Sequence, residues 1–188
     1  MLPEQVKTYR EMVTLKDGTY ALIRPMNGDD EKRLLEFYSA VSDEDMRYFR
    51  HYIKDPAVIH DWSEHLDYNK VLPILALVKD HVVGSASLHF FEGPKRHIGE
   101  VRLFLAKDFR KRGLGMKIIK ALIEIARKHG LGILQAEVIA DQTKVVKAFE
   151  AVGFKPQAVL DDYFLFPDGD SRDVVLMTMS LRTKTDEF

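Results

Sequence analysis

The segment Phe109–Met116, F-R-K-R-G-L-G-M, joins an alternating strand to a strongly amphipathic helix, and any fold for this chain must be built around that junction. Upstream, Ile98–Ala106 reads as a strand. Downstream, Ile118, Ile119, Leu122, Ile123 and Ile125 recur at helical spacing between Gly113 and His129, and Gly130 is the expected stop. Gly113 and Gly115 let the backbone approach a ligand closely where the helix begins. The first N–H groups of a helix have no intrahelical partner, and the helix dipole adds partial positive charge at that end. Arg110, Lys111 and Arg112 add full charges. Together these make an anion site, with a pyrophosphate as its natural occupant. On the loop alone, a tight strand-to-helix turn explains the two glycines about equally well. The spacing is not a Walker loop, since Lys117 lacks the G-K-[ST] context, and the third glycine of the dinucleotide fingerprint is missing.

The remaining elements predict a mixed α/β sheet flanked by helices. Met12–Leu15 and Tyr20–Arg24 flank Asp17-Gly18, a hairpin signal. Asn27 or Gly28 caps a helix whose buried side carries Leu34, Leu35, Phe37, Tyr38 and Val41. Ser42 with Asp45 resembles a capping box for a second helix through Met46, Phe49 and Ile53. Asp55-Pro56 opens a third helix that runs to about Leu66. Ile74–Val78 and Val82–Phe90 are strands with a turn at Asp80-His81, and Glu92–Arg96 is a hairpin loop. Ile133–Ile139 is a further strand, Thr143–Val152 a helix stopped by Gly153, and Val159–Phe166 with Val174–Ser180 a final hairpin. The charged tail from Arg182 to Phe188 is expected to fray.

The 188 residues fit one domain, residues 1–188 with a core from about 12 to 181. The formal net charge of −1 provides no global field for nucleic acid or an anionic membrane, so the basic cluster at Arg110–Arg112 is local and suits a small anion. There are no cysteines, which excludes disulfides, thiolate metal sites and a cysteine nucleophile and fits a cytoplasmic location. Met1–Arg10 lacks the apolar core of a signal peptide, and no apolar run is long enough to span a bilayer. His60 and His65 flank Asp61 and Glu64, but five residues along a helix do not place two rings on one face, so surface or packing roles are favoured and no metal site is assigned. Trp62, Tyr68 and Phe49 form an aromatic group in the early helices, with core packing as the default role and a substrate wall as the alternative.

Ordered motifs then point to a family. Arg110, Gly113 and Gly115 match the acyl-CoA-binding signature of the GNAT N-acetyltransferases: an arginine or glutamine, two residues, glycine, one residue, then glycine or alanine. The preceding E-V-R-L-F-L-A resembles that family's fourth strand, Gln142–Phe154 its second conserved block, and I-R-P-M-N-G-D-D-E-K-R-L-L-E-F its first strand and helix. Within the family, L-I-R-P-M, Ser42–Arg50, His65–Tyr68 and Glu100 at the strand opening look most like the acetyltransferase domain of bacterial and archaeal protein-lysine acetyltransferases.

The resemblance implies the GNAT fold, a mostly antiparallel sheet whose fourth and fifth strands splay, and acetyl-CoA as the acyl donor. It places Leu103, Phe104 and Leu105 along the pantetheine, with the Leu105 N–H polarising the thioester carbonyl. Amides from Arg110 to Met116 (Arg110, Lys111, Arg112, Gly113, Leu114, Gly115 and Met116) would hold the pyrophosphate, and Lys111, Arg112 or Lys117 would reach the outer phosphates. Glu100 is the general-base candidate, because a lysine amine has a pKa near ~10.4 and must lose a proton before it attacks. Glu137 on the next strand competes for this role, and Asp141 is a weaker alternative.

Two positions depart from the family pattern. Phe149 stands where a tyrosine commonly serves as general acid, and Gln142 where asparagine is common, although glutamine can still hydrogen-bond the pantetheine arm. Tyr163 and Ser171 are candidate replacements for the acid. The implied acceptor is a primary amine, either a protein lysine or a small molecule such as a polyamine. An acyl-CoA-sensing module with weak turnover is the alternative to an enzyme. The oligomeric state stays open, a homodimer among the options.

Overall fold

A computed structural model of the chain describes residues 4–49 and 51–182. A short helix, α1 (Glu4–Lys7), precedes the hairpin of β1 (Glu11–Thr14) and β2 (Tyr20–Pro25). Gly18 closes that hairpin at φ 84°, and the Asp17 carboxylate accepts the Thr19 N–H at 3.0 Å. Three helices follow: α2 (Glu31–Ser39), α3 (Asp43–Met46) and α4 (Pro56–Glu64). A 3-10 turn capped by Asn27 leads into α2, and Asp55 caps α4 by accepting the Ala57 N–H at 2.9 Å. Then come β3 (Val71–Val78), β4 (His81–Phe90), β5 (Ile98–Leu105), α5 (Leu114–His129), β6 (Ile133–Ile139), α6 (Thr143–Ala151), β7 (Lys155–Leu165) and β8 (Ser171–Ser180).

The eight strands form one sheet in the order β1-β2-β3-β4-β5-β6-β8-β7. Every neighbouring pair is antiparallel except β5 and β6. Strand alternation sorts the core into two layers. Ile74 and Ala76 of β3 face the cluster built on α5, while Leu75 and Leu77 face the cluster built on α2 and α4. Covered on both faces, β3 reads as the near-continuous apolar run I-L-A-L-V.

Three expectations need correction. The helix expected from Ser42 to Ile53 is a single turn, Asp43–Met46, although Ser42 does cap it by accepting the Asp45 N–H at 3.2 Å. Long-range partners override helical propensity there: Asp45 pairs with Arg110, Arg47 with Asp170, and Ile53 is drawn into the core. The β3–β4 turn lies at Lys79-Asp80, one residue earlier than expected, with both residues at positive φ (48° and 70°), as a tight hairpin turn requires. The last hairpin is longer at both strands, because β8 runs beside all of β6 and β7 pairs along it. Of the tail expected to fray, residues 183–188 lie outside the described residues.

One buried ion pair clamps β2 to the start of α2. Arg24 donates two hydrogen bonds to Asp30, each at 2.6 Å, and the Asp30 side chain is fully buried. The Asn27 N–H adds a third donor at 2.9 Å. Burial pushes the Asp30 carboxyl upward, but the hydrogen bonds from Arg24 and Asn27 and the charges of Arg24 and Arg33 outweigh it and hold the group below the usual carboxylate range.

Candidate active site

The parallel pairing of β5 and β6 covers only Ile98–Glu100 against Ile133–Gln135. Past Glu100 and Gln135 the two strands continue to Leu105 and Ile139 without pairing, so the sheet forks. The expected splay is found here, between the strand that resembles the family's fourth and the one after it; the two are fifth and sixth in this chain, which counts both β1 and β2 before the helices.

Backbone parity shows what faces the fork. The Ala106 N–H donates to the Val83 carbonyl at 3.0 Å. In an antiparallel ladder, alternate residues direct both backbone groups to the same neighbour, so residues 100, 102 and 104 turn theirs to β4. Leu103 and Leu105 turn theirs into the gap. Phe104 therefore contributes no backbone group to the gap, and its ring packs among Phe37 and Phe49 at centroid distances of 5.9 and 4.7 Å. Phe104 thus offers the gap no backbone hydrogen bond, and its place on the strand sends its ring to the other layer.

The glycine loop stands at the open end of β5. Lys111 and Gly113 have φ of 64° and 84°, with Arg112 at negative φ between them, a handedness alternation that turns successive amides toward one concavity. Holding a lysine in this region costs about 1–2 kcal/mol. The N–H groups of Lys111, Arg112, Gly113, Leu114, Gly115 and Met116 donate to no acceptor among the described residues. A Cβ added at Gly115 would lie 3.4 Å from the Leu105 side chain and 3.5 Å from that of Leu103, so α5 starts directly against the strand that borders the gap.

The expected roles of the basic side chains divide. The Arg110 N–H already donates to the Lys107 carbonyl at 3.3 Å. Its guanidinium donates to the Leu105 carbonyl at 3.1 Å and to Asp45 at 2.7 Å, so Arg110 ties the loop to its surroundings. Arg112 pairs with Asp17 at 2.9 Å and lies 4.9 Å over the Phe109 ring. Lys111 and Lys117 are exposed and have no carboxylate partner among the described residues.

Glu100 sits at the last paired position before the fork, opposite Gln135 on β6 and His89 on β4. It is 5% exposed, which rules out a solvent-facing strand-edge charge. Its carboxylate accepts the Arg102 Nε–H at 2.6 Å. Arg102 was not singled out from the sequence, yet the i, i+2 spacing on a strand places both groups on one face. The facing residues of β4 include Ser87 and His89, hydrogen-bonded to each other at 2.8 Å. Glu137, two positions beyond Gln135 on β6, belongs to this same polar face. Toward the open end, the Tyr38 hydroxyl donates to Ser85 Oγ at 3.0 Å, and burial pushes its pKa up to about 12.

The other candidates take varied positions. Gln142 precedes α6, and its side-chain amide makes no hydrogen bond among the described residues. Phe149 is 5% exposed and packs edge-on against Phe154 at 5.0 Å, as a core ring. Asp141 pairs with Arg172 at 3.5 Å. Ser171 donates to Asp162, and Tyr163 is half-exposed beside Phe164. Trp62 and Phe49 both meet Tyr38 edge-on, at 6.0 and 5.8 Å, whereas Tyr68 leaves that group and donates to the Met26 carbonyl. On the surface, His60 of α4 meets Glu31 at 3.1 Å, and His65, which caps that helix, meets Asp61 at 3.0 Å.

Residues 32–154 match the Acetyltransferase (GNAT) family. The chain belongs to that family. A [ribosomal protein bS18]-alanine N-acetyltransferase of Haemophilus ducreyi is 32% identical over 87 residues, which span 45% of this chain and 60% of that relative. An acetyltransferase of Pseudomonas aeruginosa is 26% identical over 166 residues, 79% of this chain and 82% of its own length. The GNAT domain of PAT from S. lividans superimposes with a TM-score of 0.73 at 23% identity, covering 91% of this chain and 96% of that one. The Salmonella typhimurium protein yncA, solved with its cofactor acetyl-CoA, gives 0.75 at 18% identity, covering 89% and 98%. These two structures share the GNAT fold with this chain. The forked pair β5–β6 and the glycine loop both lie wholly inside the family match.

Proposed function

We propose that this chain is an N-acetyltransferase that moves an acetyl group from acetyl-CoA to a primary amine by direct attack, with no covalent enzyme intermediate. The observation that carries the reading is the fork: a β5 edge at Leu103 and Leu105 that pairs with no strand, its Leu105 carbonyl held by Arg110, beside six amides at Lys111–Met116 that donate to no acceptor among the described residues. An extended pantetheine would complete the β5 edge as an added strand does, and a pyrophosphate would satisfy the loop amides. Lys111 and Lys117 are the cations available to the outer phosphates, and Gln142 offers a side-chain amide to the pantetheine arm.

The chemistry follows from the remaining groups. The Leu105 N–H points into the gap and would stabilise negative charge developing on the thioester oxygen. Glu100 lies five residues, about 16 Å, along the strand from Leu105 and would take the amine proton through water; the amine adds to the thioester carbon, and the bond to sulfur breaks when the tetrahedral intermediate collapses. Phe149 cannot protonate the departing sulfur, but a thiol pKa near ~8.5 makes the thiolate a tolerable leaving group. Holding donor and acceptor together supplies much of the rate.

The acceptor we favour is a protein lysine, on the resemblance to protein-lysine acetyltransferases and the polar face around Glu100. A small-molecule amine or polyamine is the alternative within the same chemistry. A second reading, an acyl-CoA-sensing module, is favoured by Phe149, whose buried ring leaves the usual acid position without a proton. We place the activity in one domain acting in the cytoplasm; among the described residues no helix is long and apolar enough to cross a membrane. Mixing the protein with acetyl-CoA and a panel of lysine peptides, amino-terminal peptides and polyamines, and following free thiol, tests the reading. Thiol release that requires an amine is the expected result. Tight donor binding without release on any acceptor would instead establish the sensor.

A further inference from the structure

The single turn α3 reaches both arms of the fork. Toward β5, Asp45 accepts the Arg110 Nη2–H at 2.7 Å, and the same guanidinium holds the Leu105 carbonyl at 3.1 Å. Toward β6, Arg47 donates to Asp170 at 2.8 Å and lies 3.3 Å from Asp168, both in the turn between β7 and β8. Arg47 also stacks over the Phe166 ring at 4.3 Å, and Tyr48 meets that ring edge-on at 5.7 Å.

The topology makes this a bridge. Leu105 ends β5 at the open side of the fork. The β7–β8 turn projects past the end of β6, since Val174 pairs with Ile139 and the Ala140 N–H donates to the Asp173 carbonyl at 2.9 Å. The two attachments, Asp45 on α3 and Arg47 at its C-cap, therefore connect arms that no backbone ladder joins beyond Glu100 and Gln135. Asp45 is the more enclosed partner of its pair, with 18% of its side chain exposed against 38% for Arg110. Arg47 is only 26% exposed and has a buried Nε atom.

We propose that Asp45 and Arg47 are positioning residues that make α3 a strap across the mouth of the fork, fixing the spacing of the donor strand and the β7–β8 turn and so the geometry in which the acceptor meets the Leu105 peptide. The catalytic consequence rests on the acetyltransferase reading above; the mechanical one does not. A strap attached at two points in series fails when either attachment fails. Independent surface ion pairs would instead contribute additively.

The test uses the full chain with Asp45→Asn, Arg47→Gln, the double variant, and Arg47→Lys as the conservative replacement. Hydrogen exchange is read at the backbone amides of Phe166–Ser171, which Asp45 does not touch. Asp45→Asn is expected to speed exchange there by about threefold to tenfold, and the double variant by no more than the larger single effect. The acceptor KM should rise by about fivefold in each single variant, with acetyl-CoA affinity within about twofold of wild type and Arg47→Lys between wild type and Arg47→Gln. Unchanged exchange at the β7–β8 turn in Asp45→Asn, or additive effects in the double variant, overturns the strap. A wild-type protein that turns over no amine overturns the acetyltransferase reading, while the exchange measurement still decides the strap.

Discussion

Glu100→Gln lowers turnover by about two to four orders of magnitude while leaving acetyl-CoA affinity within about twofold, if the carboxylate removes the amine proton. Glutamine keeps the side-chain shape and an oxygen that can still accept from Arg102, so the change isolates the loss of the base. The position supports a large effect: the carboxylate is buried at the last paired residue before the fork, not spread along a solvated strand edge. Glu137→Gln is the matched comparison on the neighbouring strand. Steady-state rates with saturating acetyl-CoA decide between them. A larger drop for Glu137→Gln would transfer the role, and normal turnover in Glu100→Gln would remove Glu100 from the mechanism.

The second large effect concerns folding. Asp30→Ala leaves the buried Arg24 guanidinium without its partner, and removing one member of a buried pair costs about 3–5 kcal/mol. For a chain of this size that lowers the thermal midpoint by about 6–20 °C. The same pair sets a pH signature. The Asp30 carboxyl is held below its ordinary range when folded, so its contribution is fully present above the unfolded pKa, near ~3.9, and is lost as pH falls through the folded value. Wild-type stability should therefore fall on acidification below about pH 4, and Asp30→Asn should be less stable at neutral pH and show a shallower loss. Thermal melts from pH 7 to pH 3 check both. A wild-type midpoint matched by Asp30→Asn at pH 7 would mean the clamp contributes little.

Much of this architecture could be read from local pattern. β6 was expected at Ile133–Ile139 and is found there, because Leu134, Ala136 and Val138 alternate with Gln135 and Glu137, a pattern that carries its own signal. α5 was legible from its apolar spacing and from Gly130, which does adopt a left-handed conformation at φ 85°. The loop was legible only in part: its two glycines fit a plain turn about as well as an anion site, and the left-handed Lys111 beside Gly113 carries no sequence signal. The connections between distant segments were not. Arg47 and Asp170 lie 123 positions apart, and Asp45 and Arg110 lie 65 apart, so the strap leaves no periodic trace. The same partners shortened α3 to one turn against its capping signal. Arg110 shows the other limit. A motif gives the residue type, and only the fold shows that its side chain reaches back to Leu105 and Asp45.

In the proposed complex the donor lies in the fork, its pantetheine on the Leu103–Leu105 edge and its pyrophosphate against the loop. The most direct measurement is a titration of the isotopically labelled chain with coenzyme A, followed through its backbone amide resonances. The largest shifts are expected at Leu103, Leu105 and Lys111–Met116, with little change at the far end of α5 around Gly130. Saturating shifts centred elsewhere, or none at all, would contradict this placement of the donor.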